Sequence, residues 1–158
     1  MIFVMLGTQK QQFTRLLDIL ENSNILQNEE IIVQAGHTKY NSKFMKINTF
    51  FDTQTMKKYM IDSDFVITHG GVGSIIDALN LGKKVLAVPR LKKFAEHIND
   101  HQIEICQKLY EEGYIEYLLD GEDLVGKLQK LKENNYKKYE RDKKYLEILE
   151  KDIKEFLK

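Results

Sequence analysis

Short hydrophobic runs alternate along this chain with longer segments in which apolar residues recur at helical spacing. Continuous apolar runs occupy residues 2–6, 31–33, 65–67 and 85–88, and each ends close to a glycine, a histidine or the single proline. Runs without polar alternation are typical of strands that are buried on both faces of a parallel sheet. Pro89 closes the last run, because a residue without an amide hydrogen cannot continue a central ladder.

The segments between these runs predict helices and two further strands. In the first such segment, Phe13, Leu16, Leu17 and Leu20 fall on one helical face. The mixed residues 46–51 predict an edge or connecting strand, and residues 114–118 predict a last strand. Helices are predicted over residues 11–21, 56–61, 74–81, 98–112, 123–131 and 136–157.

Repeated alternation of strand and helix predicts an α/β fold, a Rossmann-like parallel sheet with helices on both faces and right-handed crossovers. A chain of 158 residues suits one domain with one core, and no repeat or low-complexity run divides it. We therefore expect one domain over residues 1–135 and a long, lysine-rich C-terminal helix within residues 136–158.

Composition narrows the possible functions. Lysine plus arginine and aspartate plus glutamate number 24 each, so the chain lacks an overall positive field for holding nucleic acid. The single cysteine, Cys106, excludes an internal disulfide and suits a reducing cytoplasm. The apolar start is too short for a secretion signal, and no apolar run approaches the roughly 20 residues of a membrane span. We expect a soluble, cytoplasmic protein.

Polar or glycine-containing segments follow four of the predicted strands. They are residues 7–9, 34–36, 69–73 and 89–90. Ligands of open parallel sheets bind beyond the carboxyl ends of the strands. These loops from separate parts of the chain are therefore expected to line one rim, which is the candidate ligand site.

The sequence HGGVGS, at residues 69–74, is the strongest candidate among these loops. Gly70, Gly71 and Gly73 allow the backbone to approach a ligand closely, and the following helix directs unpaired amides and its positive dipole end to the same place. Ser74 can cap that helix or donate its hydroxyl to a phosphate. An anion is the natural ligand, although the glycines alone also suit a tight strand-to-helix turn.

Asp77 stands one turn into the same helix, on the edge that faces the rim if its apolar neighbours face the sheet. Its carboxylate would then accept hydrogen bonds from ribose hydroxyls, and an acid that complements the helix dipole is the alternative.

Two other nucleotide motifs are excluded. Residues 82–85 lack the upstream glycine and the hydroxyl of a P-loop, and a dinucleotide fingerprint would need an acid where Pro89 stands.

Residues 90–102 are unusually polar for a segment that leads into an apolar helix. Arg90, Lys92 and Lys93 would neutralise a diphosphate, and the remaining polar side chains suit sugar hydroxyls, with a solvated loop as the alternative. Two histidines four residues apart do not predict a metal site, because an HExxH pattern and a third ligand are missing. The side chains assigned to the sugar are Glu96, His97, Asp100, His101 and Gln102.

Several of these segments together resemble a known family. The sequences HGGVGSIIDAL, GKKVLAVPR and EHINDHQIE, with FVMLGTQ at the start and VQAG after the second strand, closely resemble the carboxyl-terminal half of family 28 glycosyltransferases. The similarity covers about the first 115 residues in order. It points in particular to the small subunits of split enzymes: the soluble subunit of the GlcNAc transferase that builds dolichol-linked chitobiose, and its bacterial counterparts in capsular and exopolysaccharide synthesis.

The resemblance implies a GT-B half-domain that binds a UDP-sugar, with the acceptor half on a separate, usually membrane-attached protein. It implies that Phe50 and Phe51 frame the uracil, that Asp77 binds the ribose and that His101 and Gln102 contact the sugar. The family usually has glutamate where Asp77 stands, so the ribose must lie closer here or a water must bridge. The loop residues matched to the family's donor site are Gly7, Thr8, Gln9, Gln34, Gly36, His69, Gly70, Gly71, Gly73 and Ser74.

The resemblance also implies a reaction. A hydroxyl of a polyprenyl-diphosphate-linked sugar attacks the anomeric carbon opposite UDP and inverts its configuration, while helix amides and cations stabilise the leaving diphosphate without a metal or other cofactor. His37 and His69 are candidate general bases by type, unless the partner supplies the base. The partner would recruit the chain to the inner face of the membrane, with the C-terminal helix as a contact. A solvated helix that packs Leu146, Leu149 and Ile153 on the domain is the alternative for this segment. A non-catalytic nucleotide-binding or scaffolding subunit is the alternative.

Overall fold

A parallel β-sheet forms the centre of the protein. The computed structural model describes residues 1–140. Within that range six strands form one sheet in which every neighbouring pair is parallel. The predicted α/β fold with a Rossmann-like sheet is therefore confirmed. The strands are β1 (Ile2–Met5), β2 (Ile31–Gln34), β3 (Lys46–Asn48), β4 (Phe65–His69), β5 (Val85–Val88) and β6 (Glu116–Tyr117).

The order of strands across the sheet is β3-β2-β1-β4-β5-β6. The chain moves outward from β1 to β3 and then returns to place β4 on the other side of β1. The direction of the crossovers reverses between β1 and β4, which is where open α/β sheets bind ligands. Because Ile2 pairs with Phe65 and Met5 with Thr68, the loops that follow β1 and β4 leave the sheet side by side.

Helices cover both faces of the sheet. One core cluster joins Val4 and Leu86 to apolar residues of the first and last helices, and the other joins Phe3 and Val66 to residues of the three helices between them. Burial of both faces explains why the strand sequences are continuously apolar. The helices are α1 (Thr14–Glu21), α2 (Thr53–Asp62), α3 (Val72–Asn80), α4 (His101–Glu111) and α5 (Leu124–Glu133).

All five helices among residues 1–140 begin one to three residues away from their predicted starts, and the differences for α3 and α4 concern the predicted ligand loops. Helix α3 starts at Val72, two residues early, because Gly71 adopts an extended conformation and takes the N-cap position. Helix α4 starts at His101, three residues late. Ile98 is 74% exposed and so does not belong to the buried stripe, and the side chain of Asn99 accepts a hydrogen bond from the His101 amide.

The predicted helix after residue 135 is not present at its amino end. Residues 135–140 have no regular secondary structure. The Tyr136 hydroxyl donates to Glu116 in β6, the Lys137 amide donates to the Gly113 carbonyl, and the ring of Tyr139 packs against Tyr114. These contacts hold the segment against β6 and the turn that precedes it. The rest of the predicted helix, residues 141–157, lies outside the described residues, and the proposed division at residue 135 stays a prediction.

Among residues 1–140, none of the helices combines the length and the apolar character needed to cross a bilayer.

Candidate functional site

Three loops meet at the switch point and close around the ring of His69. Gly7 has φ +85°, and a β-carbon on it would lie 2.7 Å from His69 Nε2. A β-carbon on Gly71 would lie 2.1 Å from His69 Cε1, and one on Gly36 would lie 2.5 Å from the Gly7 carbonyl oxygen. Close packing between loops therefore requires glycine at all three positions, and the positive φ of Gly7 and Gly36 favours glycine at those two as well.

A hydrogen-bond network fixes the protonation of the His69 ring. The Gln102 Oε1 atom accepts hydrogen bonds from the amides of Gly70 and Arg90, both at 3.0 Å. The amide nitrogen of Gln102 must then face His69 Nδ1, at 3.3 Å, and donate to it. The proton of the neutral imidazole therefore lies on Nε2, which is 3.2 Å from Ser74 Oγ.

His69 is neutral over the physiological pH range. The ring is only 7% exposed, and burial, reinforced by the nearby positive charge of Arg90, lowers its pKa from 6.5 to about 3. A general base needs a free lone pair and a pKa near the working pH. The lone pair of His69, on Nδ1, accepts a hydrogen bond from Gln102, and its Nε2 carries a proton. The structure therefore places His69 as a hydrogen-bond donor, which corrects its candidacy as a general base.

The amino end of α3 opens onto the rim. Gly71 at the N-cap has no side chain with which to cap the amides of the first turn, and Ser74 lies in that turn. Ser74 therefore does not take the capping role that was one of its two expected roles. Nothing lies within 4 Å of the β-carbon position of Gly73, which is exposed. Free amides, a positive helix end and a serine hydroxyl together form a suitable cradle for an anion.

Asp77 lies on the same face of α3 as Gly73 and Ser74, three or four residues away. As expected, Ile75 and Leu79 are buried while Asp77 is exposed. Partial burial raises the pKa of its carboxyl above the ordinary value. The carboxylate borders a cleft of about 330 Å³ between α2 and α3, whose other lining residues are Thr53, Met56, Lys57, Met60, Asn80 and Leu81.

The two phenylalanines expected beside uracil occupy different environments. The Phe50 ring is 49% exposed, lies beside His37 with ring centroids 5.3 Å apart, and borders Gly36. Phe51 is half-buried against Tyr59 and Phe3 in the core. Buried Gln34 accepts a hydrogen bond from the Phe51 amide at 2.7 Å and so supports this turn. Phe50 is thus the ring available to stack on a base at the rim.

Arg90 is fully buried, which corrects the expectation that its guanidinium faces a diphosphate. The guanidinium donates to the carbonyls of Leu6, Gln11 and Glu96 and lies over the ring of Phe13, 4.8 Å from its centroid. Lysine would not replace Arg90 here, because its ammonium is not a planar group that can both lie over the Phe13 ring and donate to three separate carbonyls. Arg90 therefore ties the loop after β1 to the loop after β5.

Glu96 is also buried and does not face the rim as a sugar ligand would. Its carboxylate binds Arg15 of α1, with Arg15 Nη2 at 2.9 Å from Oε1 and Nε at 3.0 Å from Oε2, and accepts from the Leu91 amide. Sequence reasoning missed Arg15. One signal was available: the chain has three arginines among its 24 basic residues. A basic side chain that forms a buried ion pair with a carboxylate is more often arginine than lysine.

The remaining predicted residues lie around this framework. His97 is half-buried, and burial lowers its pKa. Exposed Asp100 accepts from the Lys92 amide, and the Nδ1 atom of half-buried His101 has no hydrogen-bond partner among the described residues. Thr8 is exposed and Gln9 half-buried beside Gly7. Within residues 1–140, no group of three or more His, Cys, Asp or Glu side chains is placed to hold a metal ion.

Comparison with known proteins identifies the family and the fold. Residues 1–157 match the family described as "Glycosyltransferase family 28 C-terminal domain". The chain is 35% identical over 89 residues to the "UDP-N-acetylglucosamine transferase subunit ALG13" of Yarrowia lipolytica, covering 56% of this chain and 42% of that one. It is 26% identical over 127 residues to the protein of the same name in Homo sapiens, covering 73% and 11%. The chain thus spans less than half the length of these relatives.

Solved glycosyltransferases share the fold. A solution structure of ALG13 superposes with a TM-score of 0.63 at 20% identity, covering 94% of both chains. The calicheamicin glycosyltransferase CalG4 superposes with a TM-score of 0.59 at 12% identity, covering 99% of this chain and 38% of that one. The described domain therefore has the architecture of one GT-B half.

Proposed function

The chain belongs to the glycosyltransferase family 28 C-terminal domain family, and we propose that it is the donor-binding subunit of an inverting glycosyltransferase that uses a UDP-sugar. The observation that carries this proposal is the open amino end of α3 at the switch point between β1 and β4. A diphosphate placed there meets free amides, the hydroxyl of Ser74 and a positive helix end. These groups stabilise the charge that develops on departing UDP.

The nucleoside half of the donor has partners on the same rim. Asp77 is one turn beyond Ser74 on the same face, so its carboxylate can accept from ribose hydroxyls while the diphosphate lies on the first turn. The exposed ring of Phe50 offers a surface for stacking of the uracil base. Aspartate is one methylene shorter than the family's usual glutamate, so we expect the ribose to lie closer to α3 or to bind through a water.

A second chain is proposed to complete the active site. His69, whose Nε2 carries a proton, and Asp77, which is assigned to ribose, do not suit deprotonation of an acceptor hydroxyl. Exposed His37 lies beside Phe50, on the part of the rim assigned to the uracil base. We therefore place the general base on the partner, a membrane-attached subunit that binds a polyprenyl-diphosphate-linked acceptor and recruits this chain to the inner face of the membrane. The word subunit in the relatives' names supports a partner. Catalysis without a metal is part of the proposal, and a chelator should leave it unchanged.

The relatives' names favour N-acetylglucosamine as the donor sugar, because they describe UDP-N-acetylglucosamine transferase subunits. Those names contain no reference to capsule or exopolysaccharide synthesis, which stays a prediction from the sequence resemblance. UDP-N-acetylglucosamine is therefore the first donor to test, with UDP-glucose and UDP-galactose as comparisons.

The proposal is tested by transfer from labelled UDP-N-acetylglucosamine into lipid-extractable product, using cells in which this chain is replaced by variants. We expect Gly73→Ala and Asp77→Asn to reduce transfer while chain abundance is unchanged, because both residues are exposed on α3 and a β-carbon at Gly73 meets no atom within 4 Å. Exposed Lys58→Met, on α2 but outside the lining of the Asp77 cleft, is the matched surface control. Full transfer by both rim variants would instead support a scaffolding subunit that stabilises its partner.

A further inference from the structure

We propose that Gln102 is a positioning residue that holds His69 in the Nε2-protonated form, so that the Ser74 hydroxyl donates to the donor diphosphate. This inference deepens the proposed function and rests on it for the identity of the anion. Its own basis is the hydrogen-bond network that connects Gln102, His69 and Ser74.

The first step is the orientation of Gln102. The side chain is buried, and its oxygen accepts two backbone hydrogen bonds from different loops, one from Gly70 and one from Arg90. A β-carbon on Gly70 would lie 2.9 Å from Gln102 Cβ, so the glutamine and this loop are in direct contact. An amide nitrogen turned toward Gly70 would face two donors, so the observed orientation is the one that satisfies all groups.

The second step is the tautomer of His69. With the Gln102 amide nitrogen donating at 3.3 Å, Nδ1 must be the acceptor, and the ring proton belongs to Nε2. The groups around the ring do not compete for this proton. Arg90 and His97, both in the loop after β5, disfavour a charged ring. Residues 7–9 carry no charge, and Asp77 is exposed on the next turn of α3.

The third step is the direction of the Ser74 hydroxyl. Because His69 Nε2 donates to Ser74 Oγ at 3.2 Å, the serine oxygen acts as the acceptor and its own proton is free for another partner. That proton points away from the ring, and the neighbouring Gly73 faces open space at the rim. A neutral histidine thereby converts serine into a donor suited to an anion, without placing a charge beside the leaving group.

Replacement of Gln102 by glutamate reverses this arrangement and keeps the shape of the side chain. One oxygen of the new carboxylate would still accept from Gly70 and Arg90, but the other oxygen would require a proton from His69 Nδ1. At low pH the carboxyl and the imidazole share a proton, and Nε2 keeps its hydrogen. At high pH the neutral ring carries its proton on Nδ1. Nε2 then accepts from the Ser74 hydroxyl, which can no longer donate to the diphosphate.

The experiment combines nitrogen NMR of the histidine rings with UDP titrations between pH 5.5 and 8.5. In the wild-type chain we expect His69 to show a protonated Nε2 and an unprotonated Nδ1, with UDP affinity independent of His69 ionisation. In Gln102→Glu we expect the two resonances to exchange roles as pH rises, with UDP affinity falling by about tenfold, the equivalent of one charge-assisted hydrogen bond. Exposed Gln107→Glu on the same helix controls for the added charge.

A merely structural role for Gln102 would give a different pattern. It would lower the UDP affinity of Gln102→Glu by the same factor at all pH values, and adding Ser74→Ala would leave the pH profile of the single variant unchanged. We expect instead that Gln102→Glu adds a pH dependence and that Ser74→Ala abolishes it.

A wild-type His69 protonated on Nδ1 overturns the inference without any variant, even if Gln102→Glu fails to fold. Wild-type protein that does not bind UDP would contradict the proposed function, while the nitrogen resonances would still decide the tautomer.

Discussion

The polar side chains that follow β4 and those that follow β5 are directed to different partners. In residues 69–74 the groups at the amino end of α3 are open to the rim, and Gly73 faces empty space. In residues 90–102 the guanidinium of Arg90, the carboxylate of Glu96 and the amide of Gln102 are all buried and bonded to protein groups.

The two loops therefore have different roles in the site. The loop after β5 acts as a support, because its buried polar groups join the loop after β1, the loop after β4 and helix α1 into one unit. The loop after β4 provides the surface to which a ligand binds. Substitutions in the support should therefore affect stability first, and substitutions on the ligand surface should affect binding first.

The largest expected effect comes from Arg90→Met, which leaves the carbonyls of Leu6, Gln11 and Glu96 without their donor. Buried acceptors that lose a charged donor cost about 1–3 kcal/mol each, so we expect unfolding free energy to fall by about 3 kcal/mol or more in urea titrations. Exposed Lys93→Met in the same loop should cost no more than about 1 kcal/mol, since its ion pair with Asp120 is at the surface. Equal effects of the two variants would remove the distinction between support and surface.

The next effect concerns the pH dependence of stability. His69 has a pKa lowered to about 3 in the folded chain against 6.5 when unfolded, so the unfolded state binds the additional proton. The stabilisation is complete above pH 6.5 and is lost as pH falls, by about 2 kcal/mol between pH 6.5 and pH 5. Wild type should therefore lose more stability over this interval than His69→Gln, whereas exposed His37→Gln should parallel wild type. Parallel curves for all three chains would contradict the neutral, buried His69.

A smaller effect separates two glycines at the amino end of α3. An alanine at Gly71 would bring its β-carbon to 2.1 Å from the His69 ring, so this variant should lose stability. Gly73→Ala meets no atom within 4 Å and lies inside a helix, where alanine is favoured over glycine by about 0.5–1 kcal/mol. We expect Gly73→Ala to unfold at a higher temperature and yet to bind UDP about tenfold more weakly, because the new methyl group occupies the place of the diphosphate. A Gly73→Ala chain that binds UDP as wild type does would move the ligand away from this loop.

The distinction between the two loops also shows what could be predicted from sequence. Strand runs, helix periodicity and loop punctuation were sufficient for the sheet and its rim, because both-face burial and tight turns leave direct patterns at residues such as Pro89 and Gly7. From polarity alone, Arg90 and Ser74 were both predicted to face the phosphates of the ligand. Only the fold shows that Arg90 reaches carbonyls 79 and 84 residues away along the chain, those of Gln11 and Leu6.

The smallest effect is expected at Asp77. Partial burial raises the pKa of this carboxyl, so Asp77→Asn should leave thermal stability at neutral pH unchanged or slightly higher. UDP affinity should fall several-fold, since an amide accepts ribose hydroxyls less well than a carboxylate. Wild-type affinity should also weaken as pH falls and the carboxylate protonates, and calorimetric titrations at pH 7 and pH 4.5 measure both effects. Asp62→Asn, an exposed acid at the end of α2, is the control and should behave as wild type.

The most direct test of the central claim is a UDP titration followed through backbone amide resonances of the wild-type chain. The account predicts saturable shifts that are largest for residues 71–74 at the amino end of α3, with smaller shifts near Asp77 and Phe50. Residues 92–95, on the outer part of the loop after β5, should change little. Absence of saturable shifts, or largest shifts at residues 92–95, would contradict the assignment of the loop after β4 as the donor-binding surface.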